Sequence, residues 1–182
     1  GSGIGKLMAL KFSKRMATVI CVDINEASVS EVVREIKTAG GKAFHYTADV
    51  SNIESLKKLK KDVSAEVGKI DILINNAGIV YGGEFEKESL ERHVQTYNIN
   101  VNGVVAMTHL FFDDLRDSID ANIVNIASAS GLIGLPFGTT YASSKWAVIG
   151  FSESLRLELI ERGIRNVHVT TVCPSYITTG MF

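Results

Sequence analysis

Cysteine, proline and tryptophan are scarce: the 182 residues include two cysteines, two prolines and one tryptophan. Cys21 lies in an apolar run and Cys173 at the end of another, with no Cys-x-x-Cys and no metal-ligand spacing. A disulfide framework and a zinc site are therefore not expected, and both thiols read as small buried residues of a reducing, cytoplasmic compartment. An excess of either charge is also lacking, since 19 lysines and arginines face 20 acids for a net charge of −1. That leaves no basic footprint for nucleic acid. No apolar run approaches the roughly 20 residues of a membrane span, and no signal peptide opens the chain. His45, His93, His109 and His168 show no mutual metal spacing and read as surface or satisfied core residues.

What is present is a globular composition, 46% hydrophobic and 21% charged, enough for one compact domain over residues 1–182. Apolar, β-rich runs at 17–22, 42–47, 70–74, 122–127 and 167–173 read as strands. Amphipathic stretches at 4–13, 26–38, 53–67, 90–115 and 143–162 read as helices between them. Repeated strand–helix alternation predicts an α/β fold, a doubly wound parallel sheet covered on both faces. Asn25 and Ser51 suit helix N-caps, while Gly40-Gly41, Gly68 and Gly163 follow helices where a left-handed residue is often needed. There is no internal repeat, low-complexity tract or linker.

The cluster Gly1-Ser-Gly3-Ile-Gly5 opens the first helix. Free backbone amides and the helix dipole would attract a pyrophosphate there, and glycines allow close approach. The same residues also read as a flexible tag. A glycine turn of this kind needs a buried strand before it, central in a doubly wound sheet, so a strand is expected to be missing ahead of Gly1. Asp23 ends the next strand, where a carboxylate would accept from ribose hydroxyls and repel a 2′-phosphate, favouring NAD over NADP; the alternative is an ordinary capping aspartate. Asp49-Val50 and Asn75-Asn76-Ala77-Gly78 follow the third and fourth strands, at carboxyl ends where open α/β sheets bind ligands. The second of these also makes a good plain turn.

Tyr141 and Lys145, four apart in Tyr141-Ala-Ser-Ser-Lys145, share one helix face. A neighbouring ammonium favours the ionised phenol and makes it a proton donor and acceptor near neutral pH. Ser128 lies thirteen residues before the tyrosine, on a strand end.

Taken together, these segments resemble the short-chain dehydrogenase/reductase family from end to end. The glycine turn is similar to the last part of the family's TGxxxGxG. Asn75 to Gly78 matches NNAG, Asn100-Val-Asn-Gly103 matches NxxG, 123–128 matches the serine strand, and Tyr141 to Lys145 matches YxxxK. Cys173-Pro-Ser-Tyr-Ile-Thr-Thr179 resembles the PG motif with Ser175 in place of glycine, and the chain's end is similar to the branch that handles retinol, steroids and other lipid alcohols.

The resemblance implies a Rossmann-type three-layer fold and hydride transfer between NAD(H) and an alcohol or carbonyl. Tyr141 would exchange a proton with the substrate oxygen, and Ser128 would hydrogen-bond that oxygen. Lys145 would lower the tyrosine's pKa and hold the nicotinamide ribose, and Asn100 would position a water linking Lys145 to solvent. Gly3, Ile4, Gly5, Asp23, Asp49, Val50, Asn76, Ala77, Gly78, Pro174, Ser175, Ile177 and Thr179 would join Tyr141 and Lys145 in binding the cofactor. It also implies a homodimer or homotetramer built partly on the 146–159 helix. The competing reading is a nucleotide-binding or structural fragment that keeps the fold without turnover.

Overall fold

The computed structural model describes residues 1–175 and 177. Six helices and five strands run α1 (Gly3–Ser13), β1 (Val19–Asp23), α2 (Glu26–Thr38), β2 (Ala43–Thr47), α3 (Ile53–Glu66), β3 (Ile72–Asn75), α4 (Leu90–Tyr97), α5 (Gly103–Asp117), β4 (Ala121–Ile126), α6 (Thr139–Glu161) and β5 (Val167–Val172). All pairings are parallel, and they fall into two sheets ordered β1-β2 and β3-β4-β5. Contacts divide the chain into two compact units, Gly1–Asp49 and Val50–Ile177. Crossover helices between parallel strands are the expected α/β design.

In the amino-terminal unit, Val32, Val33 and Ile36 of α2 pack on Ala43 and on Ala9 of α1, with Leu10, Val19 and Cys21 around them. The 3–4 spacing of α2's apolar residues puts them on one face, and Asn25 caps the helix by accepting from the Ser28 amide at 3.0 Å. Gly40, Gly68 and Gly163 take left-handed φ after their helices, as their positions suggest, whereas Gly41 does not. The α3 cap is Asn52, accepting from the Ser55 amide, rather than Ser51.

In the carboxyl-terminal unit the long helix expected over 90–115 is interrupted. Residues Asn98–Asn102 form a π turn between α4 and α5. An extra residue in a helical turn rotates the side chains after it, and such turns recur at functional sites. Helix α6 begins at Thr139, a full turn before the expected start at 143. A ladder of buried amides and hydroxyls ties the layers together: Asn75 donates to Thr108 (3.1 Å) and Asn125 (2.8 Å), and Asn125 donates to Ser152 (2.8 Å). Every polar side-chain atom buried among the described residues finds a partner. Of the described helices, none is long and apolar enough to cross a membrane.

Candidate active site

The amino-terminal unit carries the glycine turn. Gly3 opens α1 with φ +54°, and Ser2 makes no side-chain cap, so the first amides of the helix are left for another acceptor. Gly1 lies against Ser28, where a Cβ would come within 2.2 Å of the Ser28 hydroxyl oxygen. Ile4 and Gly5 follow within the first turn, both partly exposed. Asp23 ends β1 and accepts from the Asn25 amide at 2.9 Å. Asp49, half-buried, follows β2.

The carboxyl-terminal unit gathers the remaining residues at the carboxyl ends of β3, β4 and β5. Val50 packs against Gly103, where any Cβ would sit 3.1 Å from its side chain and carbonyl. That contact explains the glycine of Asn100-Val-Asn-Gly103. Asn76, Ala77 and Gly78 leave β3, while Ser128 stands just past β4. Ser128 is buried; its hydroxyl donates to Ser130 Oγ and accepts from the Ser130 amide, both at 3.2 Å. Trp146 fastens the same turn by donating from Nε1 to the Ser130 carbonyl at 3.0 Å. Pro174 and Ser175 follow β5, and the Pro174 carbonyl accepts from the Ala129 amide at 2.8 Å. Ile177 is 40% exposed. Thr179 lies outside the described residues.

Tyr141 and Lys145 lie one turn apart in α6, 5% exposed each. Lys145 Nζ stands 5.8 Å from the centre of the tyrosine ring and donates to the Ile126 carbonyl at 2.9 Å. Burial lowers its pKa to about 8. Gly78 faces it, because a Cβ there would lie 3.4 Å from Nζ and 3.3 Å from Asn100 Oδ1. Asn100 is fully buried and spends its amide locally: Oδ1 accepts from the Ile79 amide (2.8 Å), while Nδ2 donates to the Ile79 carbonyl (2.9 Å) and to Ser144 Oγ (3.0 Å). Ser144 passes the link to the Tyr141 carbonyl at 2.7 Å. A short polar chain therefore connects the turn after β3 to the helix bearing both Tyr141 and Lys145.

Over residues 1–182 the chain matches the family model for short chain dehydrogenase. It belongs to the short-chain dehydrogenase family. It is 34% identical to estradiol 17-beta-dehydrogenase 11 of Pongo abelii over 99% of its length, which is 60% of that relative. A short-chain dehydrogenase/reductase from Burkholderia phymatum in complex with NAD superposes with a TM-score of 0.94 at 29% identity, covering 99% of this chain and 64% of that one. Actinorhodin polyketide ketoreductase with NADPH superposes at 0.92 and 31% identity, covering 99% and 69%. The chain thus spans about three-fifths of the length of the curated relatives it matches. As a short-chain dehydrogenase it has an α/β fold with parallel sheets and belongs to a family of nicotinamide-dependent oxidoreductases.

Sequence reasoning missed several supporting residues. Ser144 and Ser130 sit inside or beside motifs without being assigned a role. His93 and Tyr97 of α4, discussed below, had no motif to mark them. Among the described residues no group of three or more histidine, cysteine, aspartate and glutamate side chains could hold a metal ion.

Proposed function

We propose that this chain is the cofactor-binding and catalytic portion of an NAD(H)-dependent alcohol dehydrogenase or ketoreductase, its two units parts of one dinucleotide-binding domain. The observation that carries the reading is the buried Tyr141–Lys145 pair, with the lysine ammonium set against Gly78 and the Ile126 carbonyl, two residues before Ser128.

The residues suit a dinucleotide. Gly3, Ile4 and Gly5 offer uncapped helix amides to a pyrophosphate, and Asp23 offers a carboxylate to the adenosine ribose. Asp49 and Val50 flank the adenine side. In the other unit, Asn76, Ala77 and Gly78 form a turn whose missing Cβ leaves room before Lys145 and Asn100. Pro174, Ser175, Ile177 and Thr179 would meet the carboxamide end. When bound, the nicotinamide supplies or accepts the hydride.

The chain's own groups divide the remaining work. Tyr141 exchanges a proton with the substrate oxygen. Ser128 hydrogen-bonds the same oxygen as charge develops on it. Lys145 favours the ionised phenol and binds the nicotinamide ribose, while Asn100 orders a water that links the lysine to solvent. Because burial alone already weakens the ammonium's hold on its proton, a nearby anion is the partner that Lys145 lacks.

A large apolar alcohol or ketone, such as a steroid or retinoid, fits the surroundings. Leu132, Ile133 and Phe137, in the segment between Ser128 and Tyr141, are each more than 60% exposed, as is Phe85 in the segment after Gly78. Estradiol 17-beta-dehydrogenase 11 supports that choice by its name; the polyketide ketoreductase supports the reductive direction equally well. On α6, Trp146, Leu157 and Ile160 are exposed, and these would contribute to a homodimer or homotetramer interface. The unpaired Cys21 and Cys173 support a reducing, cytoplasmic setting.

The test is Tyr141→Phe in the full-length protein. NADH fluorescence titration should give a Kd within about threefold of wild type, and turnover of alcohols or ketones should fall by at least about 10²-fold, the scale of a lost general acid/base. Retained turnover in the variant would rule out the assigned chemistry. Failure of the wild type to bind NADH would favour the non-enzymatic reading.

A further inference from the structure

Helix α4 and the π turn after it meet the first turn of α6 through three hydrogen bonds in register. His93 Nδ1 lies 2.6 Å from Thr140 Oγ1, the Tyr97 hydroxyl donates to Ser143 Oγ at 2.9 Å, and Asn100 Nδ2 donates to Ser144 Oγ at 3.0 Å. The spacing explains the alignment. His93 and Tyr97 are four residues apart on one helix face, and Thr140, Ser143 and Ser144 are three to four apart on another. Tyr141 lies between the first and second of these contacts in sequence, and Lys145 directly follows the third.

His93 is fixed at both ends. Its Nε2 lies 3.1 Å from the Phe85 carbonyl, which can only accept, so that nitrogen carries a hydrogen. In the neutral ring Nδ1 then accepts from the Thr140 hydroxyl. The ring also packs on Phe85, with centroids 4.8 Å apart. The segment after Gly78 and the start of α6 are thereby joined through one side chain. Gly138, the residue before α6, supplies no side-chain cap. The helix start is held from outside instead.

We propose that His93 and Tyr97 are positioning residues that, together with Asn100, form a polar rail fixing the first turn of α6 and hence the placement of Tyr141 and Lys145. The rail rests on the reading of those two as the catalytic pair. Asn100 already belongs to the candidate machinery; the outer contacts do not, and they reach the reacting groups only through Thr140 and Ser143. A helix start held at three points along one face resists rolling about its axis, and rolling is the motion that would redirect the Tyr141 and Lys145 side chains.

The experiment uses near-isosteric variants of the full-length protein, Tyr97→Phe, Ser143→Ala, Thr140→Val, the Tyr97→Phe/Thr140→Val double variant and, to close a cycle, Tyr97→Phe/Ser143→Ala. Steady-state reduction of phenanthrenequinone by NADH and amide hydrogen exchange over residues 139–145 are read in parallel. The double variant should lose about tenfold in kcat, with KM and the NADH Kd within about twofold of wild type. Its amides at 139–145 should exchange at least about tenfold faster, while those of the rest of α6 keep their wild-type rates. Ser143→Ala, which also removes the Ser143 bond to the Thr140 carbonyl, should have the larger effect, and adding Tyr97→Phe to it should cost nothing further, because the Tyr97–Ser143 bond is already gone. Unchanged kcat and exchange in the double variant, or additive effects within the Tyr97–Ser143 pair, would overturn the proposal. Should the double variant fail to fold, the single-variant cycle decides. If the wild type turns over no ketone, the oxidoreductase reading fails by itself, and the exchange rates still judge the rail.

Discussion

A methyl group on residue 78 would stand 3.4 Å from the Lys145 ammonium and 3.3 Å from Asn100 Oδ1, so Gly78 and Lys145 share one space. Gly78 has an ordinary negative-φ backbone, which means that the glycine is required by crowding and not by conformation. Gly78→Ala should therefore fold with a stability change within about 1 kcal/mol while shifting Lys145 by a few tenths of an ångström. A loss of about tenfold in kcat/KM is the expected result, about 1.4 kcal/mol of transition-state stabilisation. Wild-type kcat/KM in this variant would show that the lysine's position against residue 78 does not matter.

Gly131 makes the analogous contact behind Ser128. A Cβ there would lie 2.8 Å from Ile149 Cδ1 and 2.9 Å from the backbone carbonyl of Lys145. The isoleucine methyl can swing aside, but the helix backbone cannot. Gly131→Ala should cost about 1–3 kcal/mol by urea unfolding, the range of overpacked sites, and should lower turnover by displacing the turn that carries Ser128. Gly134→Ala is the control, since nothing lies within 4 Å of its Cβ, and it should change stability by less than about 0.5 kcal/mol. Equal behaviour of the two variants would contradict the packing described.

How far the sequence disclosed this site depends on whether a contact is local. The Asn25 cap, the bounds of α2 and the Tyr141–Lys145 spacing are all short-range patterns, and each was legible. Ser51 and Asn52 are adjacent capping residues, and only the position of the first helical amide chose between them. The π turn left no mark, because Asn98-Ile-Asn-Val-Asn102 continues the helical periodicity without proline or glycine. The start of α6 was misplaced since Thr139 and Thr140 are β-branched residues without a strong cap before them; contacts from α4, 46 or 47 residues away in sequence, reach Thr140 and Ser143 and hold this turn in the helix. His93 stayed silent for the same reason. A lone histidine acquires meaning only from what folds against it.

Lys145 makes stability depend on pH in a direction opposite to that of most paired lysines. Its folded pKa of about 8 lies below the ordinary 10.5. Between those values the unfolded chain holds the proton that the folded chain has released, so stability rises as pH rises through that window. The rise is on the order of 3 kcal/mol at most. Cys21 opposes it, because burial pushes that thiol up and its contribution is lost as pH rises. Lys145→Met leaves Cys21 untouched, so the difference between the two proteins isolates the lysine. Urea unfolding without cofactor at pH 7.5, 9 and 10.5 should show wild type gaining on the variant as pH rises. At pH 7.5 the variant's advantage is reduced by about 1–3 kcal/mol for the Ile126 carbonyl left without its donor. Parallel profiles would mean that Lys145 titrates normally.

Asp23 sets the expected cofactor preference, and its environment lets the charge be tested apart from the turn. One carboxylate oxygen accepts from the Asn25 amide at 2.9 Å. In Asp23→Asn the side-chain carbonyl still accepts from Asn25, so the turn after β1 keeps that bond while the charge is removed. A carboxylate about 4 Å from a phosphate oxygen is repelled by roughly 4 kcal/mol at an effective dielectric near 20. Relief of even a third of that repulsion changes affinity about tenfold. Fluorescence titration should thus find NADH bound at least tenfold more tightly than NADPH by the wild type, with the gap narrowing about tenfold in Asp23→Asn, chiefly through tighter NADPH. Tighter NADPH binding by the wild type would reverse the assignment of Asp23 and turn attention to Arg15, the cation just before β1, as the group that receives the 2′-phosphate.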